Sequence, residues 1–338
     1  MQDAIDELVQ HYFMDLNYKM ASVPFGLTNL TKIITVDDTK YVIRIYNPYT
    51  KHAAGLAFES QITTFLTNKK LPFQVPVFLR TREGEEYVQL SNGMLGAIVS
   101  FIEGDVPTLL DIQQAVEYGQ VVGEISSTLL NYDTELLEYQ GISFSEIYHL
   151  HPLANRLAVT SFMENPPFPI AEANLTFYQE MISLLDKNIH ELKALPQQLV
   201  HHDLLIFNLL AQDNRIVGVL DFDFTSMDAS FMEFAICLNH ILQMSSGSLE
   251  MAEGFIQGYV RYRKSSLQEI NQLQLLTQVY HIAVLHFYIG QHHAGIDIKE
   301  NFTYILNQFH VRNDWLNRNG LSLKQLLEFY LLGDTEVY

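Results

Sequence analysis

Apolar residues at Ile5, Leu8, Val9 and Phe13 recur with the spacing of one helix face and predict a helix over 2–15. Beyond Ser22 the period shortens. Residues 32–36 (Lys-Ile-Ile-Thr-Val) and 41–46 (Tyr-Val-Ile-Arg-Ile-Tyr) are β-rich runs split by Asp37-Asp38-Thr39, a turn composition, and they predict a hairpin. Helical spacing returns over 53–69, after which 75–79, 86–90 and 94–101 read as further strands. The first hundred residues therefore predict a small antiparallel sheet with one internal helix. After Glu103-Gly104-Asp105 and Pro107 the character changes to helical segments near 110–130, 169–192, 230–245, 249–264, 267–290 and 300–316. Among them sit short β-rich pieces at 199–201, 208–211 and 216–220, flanking the polar loop Gln212-Asp213-Asn214-Arg215. The pattern predicts an α+β chain in two parts, 1–102 and a larger, mainly helical 103–338.

Composition narrows the classes open to such a chain. Of 338 residues, 48% are hydrophobic and 17% charged, with no low-complexity tract, so the chain should fold throughout. Twenty Lys and Arg against 39 Asp and Glu leave a net charge of −19, which repels nucleic acid and anionic lipid. A nucleic-acid-binding role is excluded on that ground. Charge selects no substrate by itself, because acids spread over a solvated surface give the same total. The single cysteine, Cys237, lies in an apolar helical run, which rules out an internal disulfide and fits a reducing cytoplasm. The first ten residues carry Asp3, Asp6 and Glu7 and do not read as a signal peptide, and no apolar stretch is long enough to span a membrane. The expected location is cytoplasmic, without a membrane or nucleic-acid partner; nothing in the chain signals an oligomeric state.

The chemistry concentrates at Val200-His201-His202-Asp203-Leu204-Leu205-Ile206-Phe207-Asn208, followed by an apolar strand ending in Asp221-Phe222-Asp223. His-x-Asp-x-x-x-x-Asn, then a strand ending in Asp, is the arrangement that kinase-type phosphoryl transfer needs. Asp203 can accept the proton of an attacking hydroxyl, while Asn208 and Asp221 are hard oxygen donors for magnesium, which takes its other oxygens from phosphate and water. Alone, Asp203 and Asn208 are ordinary loop formers, Asp221 a strand terminator and His201 a hydrogen-bonded core histidine. Their order and spacing together point to an enzyme, with Asp223 and His201 in support.

With these motifs the chain resembles the aminoglycoside phosphotransferase/choline kinase superfamily, which has the bilobal protein-kinase-like fold. The run Asp228 to Asn239, ending Ala-Ile-Cys-Leu-Asn, is most similar to the bacterial homoserine kinase branch. The resemblance implies ATP and magnesium as cofactors and a small-molecule hydroxyl acceptor, homoserine or a similar amino alcohol. An aminoglycoside or choline-like acceptor, or an inactive nucleotide-binding regulatory protein, are its alternatives. It further implies that Phe25-Gly26-Leu27-Thr28-Asn29 covers the nucleotide, with Thr28 and Asn29 donating to phosphate. Arg44 takes the place of the family's phosphate-contacting lysine, with Glu59 as its partner. Adenine is expected near Ser100 and Ile102. Two departures accompany Arg44: Ser126 stands where relatives carry histidine, and Glu233 where they carry aspartate. His281, His286, His292 and His293 lack the acidic or thiol partners of a metal site and read as a helix packed in the core, with Tyr280 a candidate for touching substrate.

Overall fold

The computed structural model describes residues 2–14, 17–23, 29–135 and 137–332. Helix α1 (Gln2–Tyr12) buries Ile5, Leu8 and Val9 together with Ile34, Ile43 and Ile98 of the sheet. That sheet has five strands in the order β1-β2-β3-β5-β4, formed by β1 (Lys19–Ser22), β2 (Leu30–Val36), β3 (Thr39–Ile45), β4 (Val88–Gln89) and β5 (Leu95–Ser100). β2 and β3 close at Val36 opposite Thr39, with Asp37 and Asp38 both at positive φ (47° and 60°), as a two-residue hairpin turn requires. Alternation along β3 sends Ile43 and Ile45 toward α1. Arg44 and Tyr46 go to the opposite face, which packs on α2 (Ala53–Asn68) through Tyr46, Leu56, Ala97 and Val99. That parity brings Arg44 under the helix carrying Glu59.

Two expected strands are weaker than their composition suggested. Residues 75–79 run beside β5, with Leu79 N donating to Ile98 O at 2.9 Å and Ser100 N to Val77 O at 2.8 Å. Pro76 has no N–H, and only an isolated bridge at Phe78–Val99 forms. The run at 86–90 shrinks to the two residues of β4.

The helical part is built on α6 (Met232–Met244), buried on all sides from Met232 to Leu242. Around it lie α3 (Ile112–Leu129), α4 (Arg156–Glu164), α5 (Glu172–Lys193), α7 (Leu249–Tyr259), α8 (Leu267–Asn271), α9 (Leu273–His293) and α10 (Lys299–Leu331). The segment expected as one helix over 267–290 breaks at Gln272, which is C-cap of α8 and N-cap of α9. Helix α10 continues fifteen residues past its expected end, because Leu323, Leu327 and Leu331 resume a buried stripe beyond the polar 317–320. Strand β6 (Gln197–Val200) pairs antiparallel with β9 (Ser226–Ala229), and β7 (Leu209–Gln212) pairs with β8 (Arg215–Val219) around Asp213 and Asn214, both at positive φ. The β7–β8 hairpin joins the two parts. Asp105 and Ala211 exchange backbone bonds at 3.0 and 2.7 Å, and Gln74 bonds Val217 and Val219 at 2.8 and 2.9 Å. Among the described residues no helix is long and apolar enough to cross a membrane.

Candidate active site

β6 ends at Val200, and the chain turns through His201, His202 and Asp203. The turn is held from beneath by Glu233, in the first turn of α6, which accepts from His201 N at 2.6 Å and from His202 N at 3.4 Å. The Leu204 carbonyl accepts from Tyr118 Oη at 2.6 Å and from Cys237 Sγ at 3.4 Å. The His201 ring donates from Nε2 to Leu220 O (3.0 Å) and accepts at Nδ1 from Asp203 N (3.2 Å). Burial holds its pKa down at about 3, so the ring is neutral. Asn208 closes the loop: its Nδ2 donates to Asp203 O at 2.8 Å and to Asp203 Oδ2 at 2.7 Å, which leaves its own Oδ1 available. Leu220 N donates to Asn208 O at 2.8 Å, so the residue before Asp221 is fastened to the loop that carries Asp203. Burial first, and then the charge of Asp221, push the Asp203 carboxyl well above its ordinary range.

Asp221 has left-handed backbone (φ 63°) and a side chain that is 38% exposed. Its Oδ1 accepts from Arg44 Nη2 at 3.1 Å. Behind it four buried charges form a closed ring. Arg44 reaches Glu59 Oε1 (2.7 Å) and Asp223 Oδ2 (2.8 Å), and Lys51 Nζ reaches the other oxygen of each, Glu59 Oε2 (2.5 Å) and Asp223 Oδ1 (2.8 Å). Both cations lie over the Tyr46 ring, at 5.1 and 5.7 Å from its centre. Burial raises the Glu59 pKa to about 7 against the pull of Lys51 and Arg44. The Asp223 pKa is lowered below the carboxylate range, because Arg44 and Lys51 outweigh its burial.

Arg44 and Glu59 are thus a buried pair, and His201, Asp203, Asn208, Asp221 and Asp223 come together with them. Asn29 joins from the sheet: its Nδ2 donates to Asp223 Oδ2 at 2.5 Å and its Oδ1 accepts from Asn47 N at 3.0 Å. Thr28 lies outside the described residues. Ser100 ends β5. Its N–H is bonded to Val77 O and its hydroxyl accepts from Val77 N (2.9 Å), so it serves the 75–79 segment. Ile102 is buried against Gly218 of β8, where an added Cβ would lie 2.9 Å from the isoleucine side chain. Ser126 is remote from this cluster, in a buried knot with Arg263 (2.9 Å) and Gln198 (3.3 Å). Lys51 was not foreseen: it stands in a β3–α2 connection with no periodic signal, and only folding brings it to Glu59 and Asp223.

On the side facing α9, Tyr280 and Tyr288 are near enough to Asp203 for its charge to raise their pKa values further, after burial. Phe144 stacks on Tyr280 (6.4 Å between centres, 13° between planes) and lies edge-on to Phe224 (6.0 Å). Of the four histidines of α9 expected in the core, two are there: His281 donates to Thr277 O and stacks on Phe309, and His286 donates to Ile147 O, whereas His292 is half-buried and His293 exposed, because the last turn of the helix runs out of the core.

The donors that converge on the cleft, Asn208 Oδ1 and the exposed Asp221 carboxylate, are hard oxygens without a thiol or imidazole among them, a set suited to magnesium that keeps waters and phosphate oxygens. Asp223, fully engaged by Arg44, Lys51 and Asn29, has less to offer a cation.

Comparison with known proteins agrees with this geometry. A family model described as phosphotransferase enzyme family (APH) matches residues 20–272. A homoserine kinase of Sinorhizobium fredii is 32% identical over 75% of this chain and 73% of its own length. One from Parvibaculum lavamentivorans is 26% identical over 78% and 77%. Among solved structures, a microcompartment-associated aminopropanol kinase superposes with a TM-score of 0.74 at 14% identity, covering 96% of this chain and 99% of that one. An amicoumacin kinase in complex with AMP-PNP and Ca2+ gives 0.67 at 14% identity, covering 94% and 92%.

Proposed function

Because the chain belongs to the phosphotransferase enzyme family, whose members act as kinases on hydroxyl groups of small molecules, we propose that it transfers the γ-phosphate of ATP to the hydroxyl of an amino alcohol, homoserine first. The fold is the bilobal protein-kinase-like one, with a five-stranded sheet in one lobe and a helical remainder. The observation that carries the proposal is the convergence of Asp203, Asn208 and Asp221 beside Arg44 at one cleft.

Asp203 is the base. Asn208 fixes one carboxylate oxygen, leaving the other to receive the acceptor's proton, and a pKa raised above the usual carboxylate range strengthens it for that task. Asn208 and Asp221 would hold magnesium, which when bound supplies charge neutralisation at the phosphates. Arg44, restrained by Glu59 and Asp223, presents its remaining charge toward the same place. Because the N–H of Ser100 is already taken, the adenine edge is assigned to the backbone at Ile102. Asn29, with one amide N–H on Asp223, keeps its second N–H for phosphate. Tyr280 and Tyr288 line the acceptor side, where aromatic faces and the Asp203 charge favour an ammonium next to the reacting hydroxyl. The homoserine kinase relatives and the aminopropanol kinase likeness support that class. One buried cysteine and dependence on ATP suit the cytoplasm.

The test is incubation with magnesium-ATP and a panel of homoserine, short amino alcohols, choline and aminoglycosides, with mass-spectrometric detection of phosphate esters. Transfer to an amino alcohol is expected. Transfer confined to choline or an aminoglycoside overturns the acceptor class, and nucleotide binding without transfer to any of them overturns the enzymatic reading in favour of a regulatory one.

A further inference from the structure

His202, between the two residues of the motif, has no role in the chemistry above, yet its surroundings are specific. Its side chain is fully buried, and its backbone lies at φ 69°, a left-handed conformation uncommon for a residue with a Cβ. Nδ1 is 3.1 Å from both the Val200 and the Phe224 carbonyl oxygens. Nε2 is 3.0 Å from Asp228 Oδ2. Both ring nitrogens thus face acceptors, on three separate segments of the chain.

Asp228 is itself held in place by several donors. Its Oδ2 also accepts from Ser143 Oγ (2.8 Å) and Phe144 N (2.7 Å), and its Oδ1 from Ala229 N (2.7 Å). Against its burial, these donors and His202 lower its pKa. The other ionisable neighbours are Glu233 on α6, bonded to the amide of His202, and the neutral ring of His201. The Phe144 ring stacks on the imidazole at 4.3 Å and 24°, a face that favours a cation.

We propose that His202 is the positioning residue of this site. It ties the end of β6, through Val200, to the carbonyl of Phe224 in the segment after Asp221, and through Asp228 to the 143–144 turn. The base and the metal-binding carboxylate are thereby held in one register. The tie stands on the hydrogen-bond geometry alone; its effect on turnover rests on the kinase reading.

Two readouts test this in the full-length protein, with His202→Asn as the variant. Asparagine tolerates positive φ and keeps one donor, so this variant should fold, verified by its circular dichroism melt. Its amides at 201–208 should exchange about tenfold faster or more than those of the native protein, and unchanged protection contradicts the tie. In turnover, His202→Asn should lower kcat about tenfold or more with the nucleotide KM within about twofold; an unchanged kcat contradicts the positioning role. A native protein that transfers phosphate to nothing counts against the kinase reading, while the exchange result still decides the tie.

Discussion

Arg44 and Lys51 share the same two carboxylates, one oxygen each, and that symmetry gives Lys51 a measurable weight. Removing one partner of a buried ion pair leaves an uncompensated charge and costs about 3–5 kcal/mol. Lys51→Met leaves Glu59 and Asp223 to a single cation, and urea unfolding should show a loss of that order; a loss under about 1 kcal/mol would mean the ring is not maintained in solution. A second residue-scale prediction concerns His286, whose pKa burial lowers from 6.5 to about 4. The unfolded chain binds this proton below pH 6.5 while the folded chain does not, so its contribution is intact above 6.5 and is lost as pH falls toward 4. Relative to His286→Phe, normalised at pH 8, the native protein should lose up to about 3 kcal/mol between pH 6.5 and 4. Parallel stability curves for the two proteins would contradict it. Asp203, Asn208 and Asp221 were legible in the spacing of their motif, and the Arg44–Glu59 pair through the family resemblance. Lys51 and His202 were not, since what makes each of them informative is a set of partners far off in sequence.

Among the elements, α3 and α7 pack backbone against backbone at their glycines. A Cβ on Gly258 would lie 2.0 Å from Val116 O, and one on Gly119 2.0 Å from Phe255 O, so neither helix can carry a side chain there without moving apart. Gly258→Ala should cost about 3 kcal/mol or more in denaturant unfolding. Gly320, inside α10 with nothing within 4 Å of its added Cβ, is the matched control. Gly320→Ala should stabilise by about 0.5–1 kcal/mol, as helix propensity alone dictates. Equal effects of the two substitutions would deny the tight crossing. The elements read correctly from sequence are those with a long apolar period or a turn signal, such as α1, the β2–β3 hairpin and α6. Those that escaped were short or context-dependent. β9 exists because β6 pairs with it, and the far half of α10 is helical because tertiary burial of Leu323, Leu327 and Leu331 outweighs a polar, glycine-containing stretch.

For the whole molecule, the cleft between sheet and helices depends on joints that cross from one part to the other: the bonds from Gln74 to β8, and the reach of Arg44 from β3 to Asp221 and Asp223. The two buried cations at this cleft, Arg44 and Lys51, are outnumbered by the carboxyl groups of Glu59, Asp203, Asp221 and Asp223, so the site is no cationic exception to the net charge of −19. The two-part architecture could be inferred from the change of period near residue 103, and Tyr280 from the family resemblance, but Tyr288 could not, because it acquires meaning only when α9 is laid against the loop of Asp203. The most direct measurement is phosphate transfer from magnesium-ATP to an amino alcohol by the native protein and by Asp203→Asn, with nucleotide affinity determined in the same samples. A fall in kcat on the order of 10²–10⁴ with nucleotide affinity retained is predicted. Transfer that continues undiminished without the Asp203 carboxylate would contradict the account.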